Sequence, residues 1–218
     1  MTFTRAPNSY PAFLIGMILL TYWLRVLQMV ARTHRQTGRD ANFIPPEPLG
    51  RWLRIIWVPV VALWVLTPLL TPFIANPPEF LRPFPALYFN PIASWAAFAV
   101  AVAAFVATWV CWQRMGDSWR MGIDPTERTR LVFNGPYAYV RHPIYGLSSL
   151  LMLMTMVALP SPLMFIVGVL HLFFLQWEVR REERYLTALH GQAYTDYAAH
   201  VGRFLPRRSR QWAVGSRQ

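Results

Sequence analysis

Asn134 to Gly146 read NGPYAYVRHPIYG: a tight turn, Arg141, His142 and three tyrosines, set immediately before an apolar segment. Gly135-Pro136 breaks whatever precedes it, and Pro143 suits the first turn of a helix that starts there. The first amides of such a helix have no partner within it. Beside Arg141, His142 and Tyr145 they are suited to hold an anionic group. Tyr137, Tyr139 and Tyr145 can pack against a nucleoside or a sulfonium cation. A basic and aromatic interface anchor also accounts for the arginine and the tyrosines, but not for the turn and the His-Pro pair.

A second group of polar side chains follows on the last long helical stretch. At about 100 degrees per residue, His171, Leu175, Glu178, Glu182, Tyr185 and Leu189 fall on one stripe. Two carboxylates, an imidazole and a phenol therefore share a face. Two readings stand: Glu178 and Glu182 pair with Arg181 and Arg184 on a solvated helix end, or they meet a ligand. His171 lies about 10 Å further along the axis, where a polar side chain faces protein or a cavity. It reads as a hydrogen-bonded core residue or as part of the site. No group of residues calls for a metal.

The elements that must position these residues are membrane helices. Ile55 to Pro78, Pro83 to Gln113 and Ile144 to Trp177 contain no Asp, Glu, Lys or Arg. Roughly 20 apolar residues span a bilayer core, so each run is long enough to cross. Tyr10 to Ala31 is interrupted only by Arg25, which can snorkel towards the interface. Helices are expected at about Pro11 to Ala31, Trp52 to Ile74 and Ile92 to Trp112. Pro160 and Pro162 divide the last run, so ALPSPL reads as the turn of a hairpin whose first arm, Ile144 to Ala158, is short. The second arm runs from Pro162 past Trp177 into the charged EVRREERYLTALHG, with Gly191 as its stop. QAYTDYAAHV then makes a short amphipathic helix. The fold class is thus all-α: a polytopic bundle of about five transmembrane helices with a C-terminal hairpin and a cytosolic pocket. Residues 1–112 form the first three helices, 113–206 the catalytic region with its hairpin at 144–190, and 207–218 a basic tail.

All 21 basic residues are arginines, against 10 acidic residues. They gather in alternate connections, whereas the connection from Pro77 to Pro91 holds only Arg82. That is the positive-inside pattern, and it places the amino terminus outside and the carboxyl terminus in the cytosol of a bacterial-type inner membrane. Topology accounts for the charge, so nucleic acid is not an expected partner. The single cysteine, Cys111, has no internal disulfide partner and reads as a small buried hydrophobe.

LVFNGPYAYVRHPIYG and EERYLTALHGQAYTDYAAHVGRFLP resemble two linked elements of the isoprenylcysteine carboxyl methyltransferase and phospholipid methyltransferase family of integral membrane enzymes. The first is similar to its Gly-Pro-Tyr and Arg-His-Pro-x-Tyr pattern. The second is similar to its Glu-Glu pair followed by a glycine, two spaced tyrosines and a terminal Arg and Pro. The resemblance covers about Trp119 to Pro206. It implies methyl transfer from S-adenosylmethionine, bound without a Rossmann domain, to a lipophilic or small membrane-accessible acceptor: an amine, a thiol or a carboxylate. The implied cofactor-binding residues are Thr129, Arg130, Leu131, Val132, Tyr137, His142, Pro143, Ile144, Tyr145 and Glu182. Arg141 is the expected catalytic residue, fixing acceptor or cofactor electrostatically. Carboxyl methyltransferases of the family carry a substrate-holding arginine one turn before the cofactor glutamate. Here Glu178 stands there, which favours a cationic or neutral acceptor and makes Glu178 the expected substrate-binding residue.

Two other classes compete. Sterol-type membrane reductases, which use NADPH, carry His-Pro-Asn-Tyr followed by Glu; HPIYGLS has Ile144 and Ser148 at those places. A non-catalytic scaffold or transporter is the other, and a transporter would be expected to show paired broken helices or inverted repeats.

Overall fold

The computed structural model describes residues 9–38, 43–45, 48–85, 90–116, 119–121 and 131–207. Within them the chain folds as α1 (Ser9–Thr37), α2 (Pro48–Leu70), α3 (Pro91–Met115), α4 (Pro143–Ala158), α5 (Pro162–His190) and α6 (Gln192–His200). Thr129 and Arg130, and the tail beyond residue 207, lie outside the described residues.

Four of these helices, α1, α2, α3 and α5, are long and apolar enough to cross a membrane, and the chain is a multi-pass integral membrane protein. The expected fifth membrane helix is the shorter α4, whose 16 residues rise only about 24 Å. A hydrocarbon core is about 30 Å thick. The hairpin still spans the bundle, because its turn reaches the far connection: the Phe84 amide donates to the Pro160 carbonyl at 2.8 Å. The second arm is the opposite case. The 29 residues of α5 rise about 43 Å, so roughly its last two turns project beyond a membrane-thick slab.

Helix ends differ from the expected ones for local reasons. α1 continues to Thr37, and His34 and Arg35 in its last turn complement the helix dipole. α2 begins four residues before Trp52, at Pro48, a residue suited to a first turn. Asn90 caps α3 by accepting from the Ala93 amide, and Ser161 caps α5 by accepting from the Met164 amide. Gly191 ends α5 with φ +54, a left-handed conformation in which glycine meets no Cβ penalty.

Packing follows from residue size. Ala97, Ala101, Ala104, Thr108 and Cys111 form one buried face of α3, and small residues let a neighbouring helix approach closely without lipid between. That neighbour is α4, the pair in most extensive contact; α1 also packs on α2 and α3, and α5 on α2 and α4. Between α2, α4 and α5 lies His171, fully buried. Its Nε2 pairs with the Ser148 hydroxyl at 3.2 Å and its ring leans on Trp64 at 4.5 Å. It is a hydrogen-bonded core residue, one layer beneath the cavity that Ser148 lines.

Candidate active site

The site forms where the projecting end of α5 meets three other pieces of chain. A 3₁₀ turn, Gly135–Ala138, swings Tyr137 inward, with Gly135 at φ +60. The segment after α6 returns along the strand-like residues before α4: Val140 and Gly202 form a parallel bridge, the Arg141 amide donates to the Gly202 carbonyl at 2.8 Å, and the His142 amide donates to the Arg203 carbonyl at 3.0 Å. Gly202 is required there, because a Cβ would run into the Leu205 carbonyl.

Glu183 holds this junction together. Its carboxylate accepts from Arg141 Nη2 at 2.7 Å and from Arg203 Nε and Nη2 at 3.0 and 2.6 Å. His142 Nε2 lies 3.4 Å from the same carboxylate. Arg141 Nη1 also donates to the carbonyls of Ala198 and Val201, both at 2.7 Å, so it closes the C-terminal end of α6. The pairing with Glu183 holds the Arg203 guanidinium above its usual pKa. Tyr197 donates to the Tyr137 carbonyl at 2.6 Å, and burial pushes the phenols of Tyr137, Tyr194 and Tyr197 well above their ordinary pKa, keeping them neutral donors.

Above this junction opens a cavity of about 980 Å³, its mouth and open part included. Tyr137, Arg141, His142, Pro143, Ile144, Tyr145, Glu178 and Glu182 all line it, so the structure brings together eight residues that the sequence singled out. Leu131 and Val132 are not among the lining residues; Leu131 packs instead on the cluster of Tyr194, Tyr197 and Val201. Much of the remaining wall is apolar and aromatic, with Trp57 from α2, Trp112 from α3 and Phe174 and Leu175 from α5, while Arg54, Arg120 and Ser148 add polar groups.

Three features of the cavity look for a ligand. First, α4 is uncapped: among the described residues no side chain caps its first turn, in contrast to α3 and α5, and Ile144 and Tyr145 sit at the wall. Second, Glu182 stands across from that helix start, its Oε2 3.8 Å from His142 Nδ1 and its side chain one-third exposed. Third, the Tyr137 hydroxyl, the indole nitrogens of Trp23 and Trp57, and Arg141 Nε are buried with no hydrogen-bond partner among the described residues, and all four residues line the cavity. An anion-binding helix start, a carboxylate and unpaired donors in an aromatic wall suit a molecule that carries a carboxylate, an amino group and a flat heterocycle.

At the other side of the cavity Glu178 is met by two arginines. Arg181 Nη1 lies 3.1 Å from Oε2, and Arg54 Nη2 lies 3.7 Å from Oε1. Arg54 comes from α2, is buried, stacks over Trp57 at 5.1 Å and donates to the Met121 carbonyl. The expectation that Glu178 needs a cationic acceptor is thereby weakened, since the protein already meets the charge. The sequence reading gave no individual role to Arg54, Glu183 or Arg203, although Glu183 and Arg203 lie in the Glu-Glu and terminal-Arg motif. Glu183 stands beside Glu182, one step off the stripe, and a step of about 100 degrees carries it to the α4–α6 side. Arg54 read only as part of the topological charge.

The sequence profile of the Isoprenylcysteine carboxyl methyltransferase (ICMT) family matches residues 95–188. No curated protein and no solved structure matches the chain.

Proposed function

We propose, because residues 95–188 match the profile of the isoprenylcysteine carboxyl methyltransferase family of membrane methyltransferases, that the cavity holds S-adenosylmethionine and passes its methyl group to a lipophilic acceptor. When bound, S-adenosylmethionine supplies an electrophilic methyl group on a positively charged sulfur. The observation that carries the reading is the uncapped start of α4 facing Glu182 across a cavity with unpaired buried donors.

The roles of the chain's residues follow from what each can reach. The amides of Ile144 and Tyr145 take the cofactor's carboxylate, and Glu182 accepts from its amino or hydroxyl groups. The Tyr137 hydroxyl and the indole N–H of Trp57 donate to polar atoms of the bound molecule. Tyr145 and Trp112 shut out water beside the sulfonium. Arg141 has both terminal nitrogens committed to Glu183 and to carbonyls of α6 and Val201. It acts mainly as a positioning residue, with only Nε left to face a ligand. Thr129 and Arg130 keep the cofactor-binding role that the family resemblance gives them.

The acceptor's polar end meets the Arg54–Glu178–Arg181 group, with Glu178 as the substrate-facing carboxylate. Two positive charges against one negative fit a neutral or anionic nucleophile, thiol or carboxylate, as well as an amine. Transfer from a sulfonium needs in-line alignment more than a strong base, so orientation within the aromatic wall supplies most of the rate.

The test is calorimetry on detergent-purified protein. S-adenosylmethionine should bind wild type, and NADPH titrated in parallel should give no heat. Glu182→Gln and Tyr137→Phe should each weaken binding, Glu182→Gln by about tenfold or more because its partner is charged. Normal binding in both variants would sink the proposal. Labelled S-adenosylmethionine with membrane extract then identifies the acceptor by the labelled product.

A further inference from the structure

A second cleft runs between α1 and α3 at the same end of the bundle, and shares Trp112, Trp119 and Arg120 with the cofactor cavity as a common wall. Its volume is about 1360 Å³, open part included. α1 contributes Arg25, Met29, Arg32 and Gln36, spaced four, three and four apart, which is one face of a helix. α3 contributes Trp109, Trp112 and Gln113, with Gly116 just past its end. Among the described residues no Asp or Glu lines this cleft, while Arg25, Arg32 and Arg120 do.

Arg25 is the telling residue. It lies inside the membrane-length span Tyr10–Gln36, where a cation is costly unless something compensates it. The protein offers it an aromatic face, with the guanidinium 5.0 Å over Trp109, and a contact to Gln28 that is long at 3.5 Å. Its Nε is buried without a hydrogen-bond partner among the described residues. Arg32 stands two turns nearer the helix end on the same face, and is exposed. In the other direction along α3, Val102 and Val106 continue the face of Trp109 and are 39% and 56% exposed. The cleft is therefore basic at one end and apolar at the other, with a tryptophan at the boundary, as at a membrane interface.

We propose that this cleft binds one anionic phospholipid, its phosphate between Arg25 and Arg32 and an acyl chain along Val106 and Val102. Charge complementarity selects the occupant: basic pockets between membrane helices attract lipids of net negative charge. The site is separate from methyl transfer and stands whether or not the cofactor reading holds.

Native mass spectrometry of the full-length, detergent-solubilised protein tests it. The probes are a phosphatidylglycerol, a phosphatidylcholine with the same chains, and glycerol 3-phosphate. Wild type should bind one phosphatidylglycerol at least tenfold more tightly than the phosphatidylcholine. The double variant Arg25→Gln/Arg32→Gln should bind it about 30-fold more weakly. Arg180→Gln/Arg184→Gln removes the same charge from the exposed face of α5 and should stay within twofold of wild type. Glycerol 3-phosphate should not displace the lipid. Equal affinity for the two lipids, equal loss in both double variants, or displacement by glycerol 3-phosphate overturns the proposal. Should the first double variant fail to fold, the exposed Arg32→Gln alone makes the same comparison, with a loss of about fivefold expected.

Discussion

At the scale of single residues, Glu183 and Glu182 divide the work that their adjacency in sequence conceals. Glu182 lines the cavity with its side chain one-third exposed; Glu183 is turned away and spends both oxygens on Arg141 and Arg203. Removing the Glu183 carboxylate would strand Arg141, a guanidinium only 9% exposed. Breaking a buried pair from one side costs about 3 kcal/mol or more, because a charge is left without compensation. Glu183→Ala should therefore lower the thermal midpoint of the detergent-purified protein clearly, whereas Glu182→Ala should leave it nearly unchanged and reduce cofactor binding instead. Equal midpoints for the two variants would show that Glu183 does not hold the junction. The sequence made Glu182 visible through the stripe it shares with Glu178. Nothing local distinguishes Glu183, since its partners Arg141 and Arg203 lie 42 and 20 residues away. A carboxylate that closes a long-range contact leaves no periodic trace.

At the scale of elements, the site depends on a seam rather than on any one helix. The residues before α4 and those after α6 pair as short strands, and this pairing fixes the direction in which the uncapped start of α4 points. Gly202 is the narrowest point of the seam. Gly202→Ala would force the chain apart at the Leu205 carbonyl, releasing the return segment while the membrane helices stay packed. Hydrogen exchange should then rise at the amides of Arg141 and His142, whose acceptors are the Gly202 and Arg203 carbonyls, and remain slow in the middle of α3 and α5. Unchanged protection at those two amides would contradict this account. The helices themselves were legible because each is a long uncharged run bounded by proline, glycine or charge, and the Gly191 stop and the hairpin turn at Pro160 fell where those residues demand. The seam was not legible. Val140 and Gly202 sit in segments too short to show strand alternation, and only tertiary contact makes them pair.

At the scale of the whole molecule, charge and height fit together. The ends of α1, α3 and α5 and the starts of α2 and α4 lie on one side of the bundle, and Arg32, Arg35, Arg51, Arg54, Arg114, Arg141, Arg180, Arg181 and Arg184 belong to those ends. The opposite side holds the connection from α2 to α3 and the hairpin turn, joined by the bond from Phe84 to Pro160; the sequence places only Arg82 in these two connections, and only Arg5 before α1. Short α4 does not disturb this division, because its turn meets the far connection even though the helix alone is thinner than a bilayer core. Insertion favours keeping arginine-rich connections in the cytosol, so the cavity, the seam and the basic cleft should all face that compartment, where S-adenosylmethionine, the proposed donor, would be available. Reporter fusions after Gln113 and after Arg207 should both give a cytosolic signal, and one after Pro78 should give the external one. An external signal at either of the first two positions would invert the orientation and put the cavity on the wrong side for a cytosolic methyl donor. A cytosolic signal at all three would mean instead that the stretch from α2 into the next connection does not cross, and that the arginine asymmetry reflects ligand binding rather than topology.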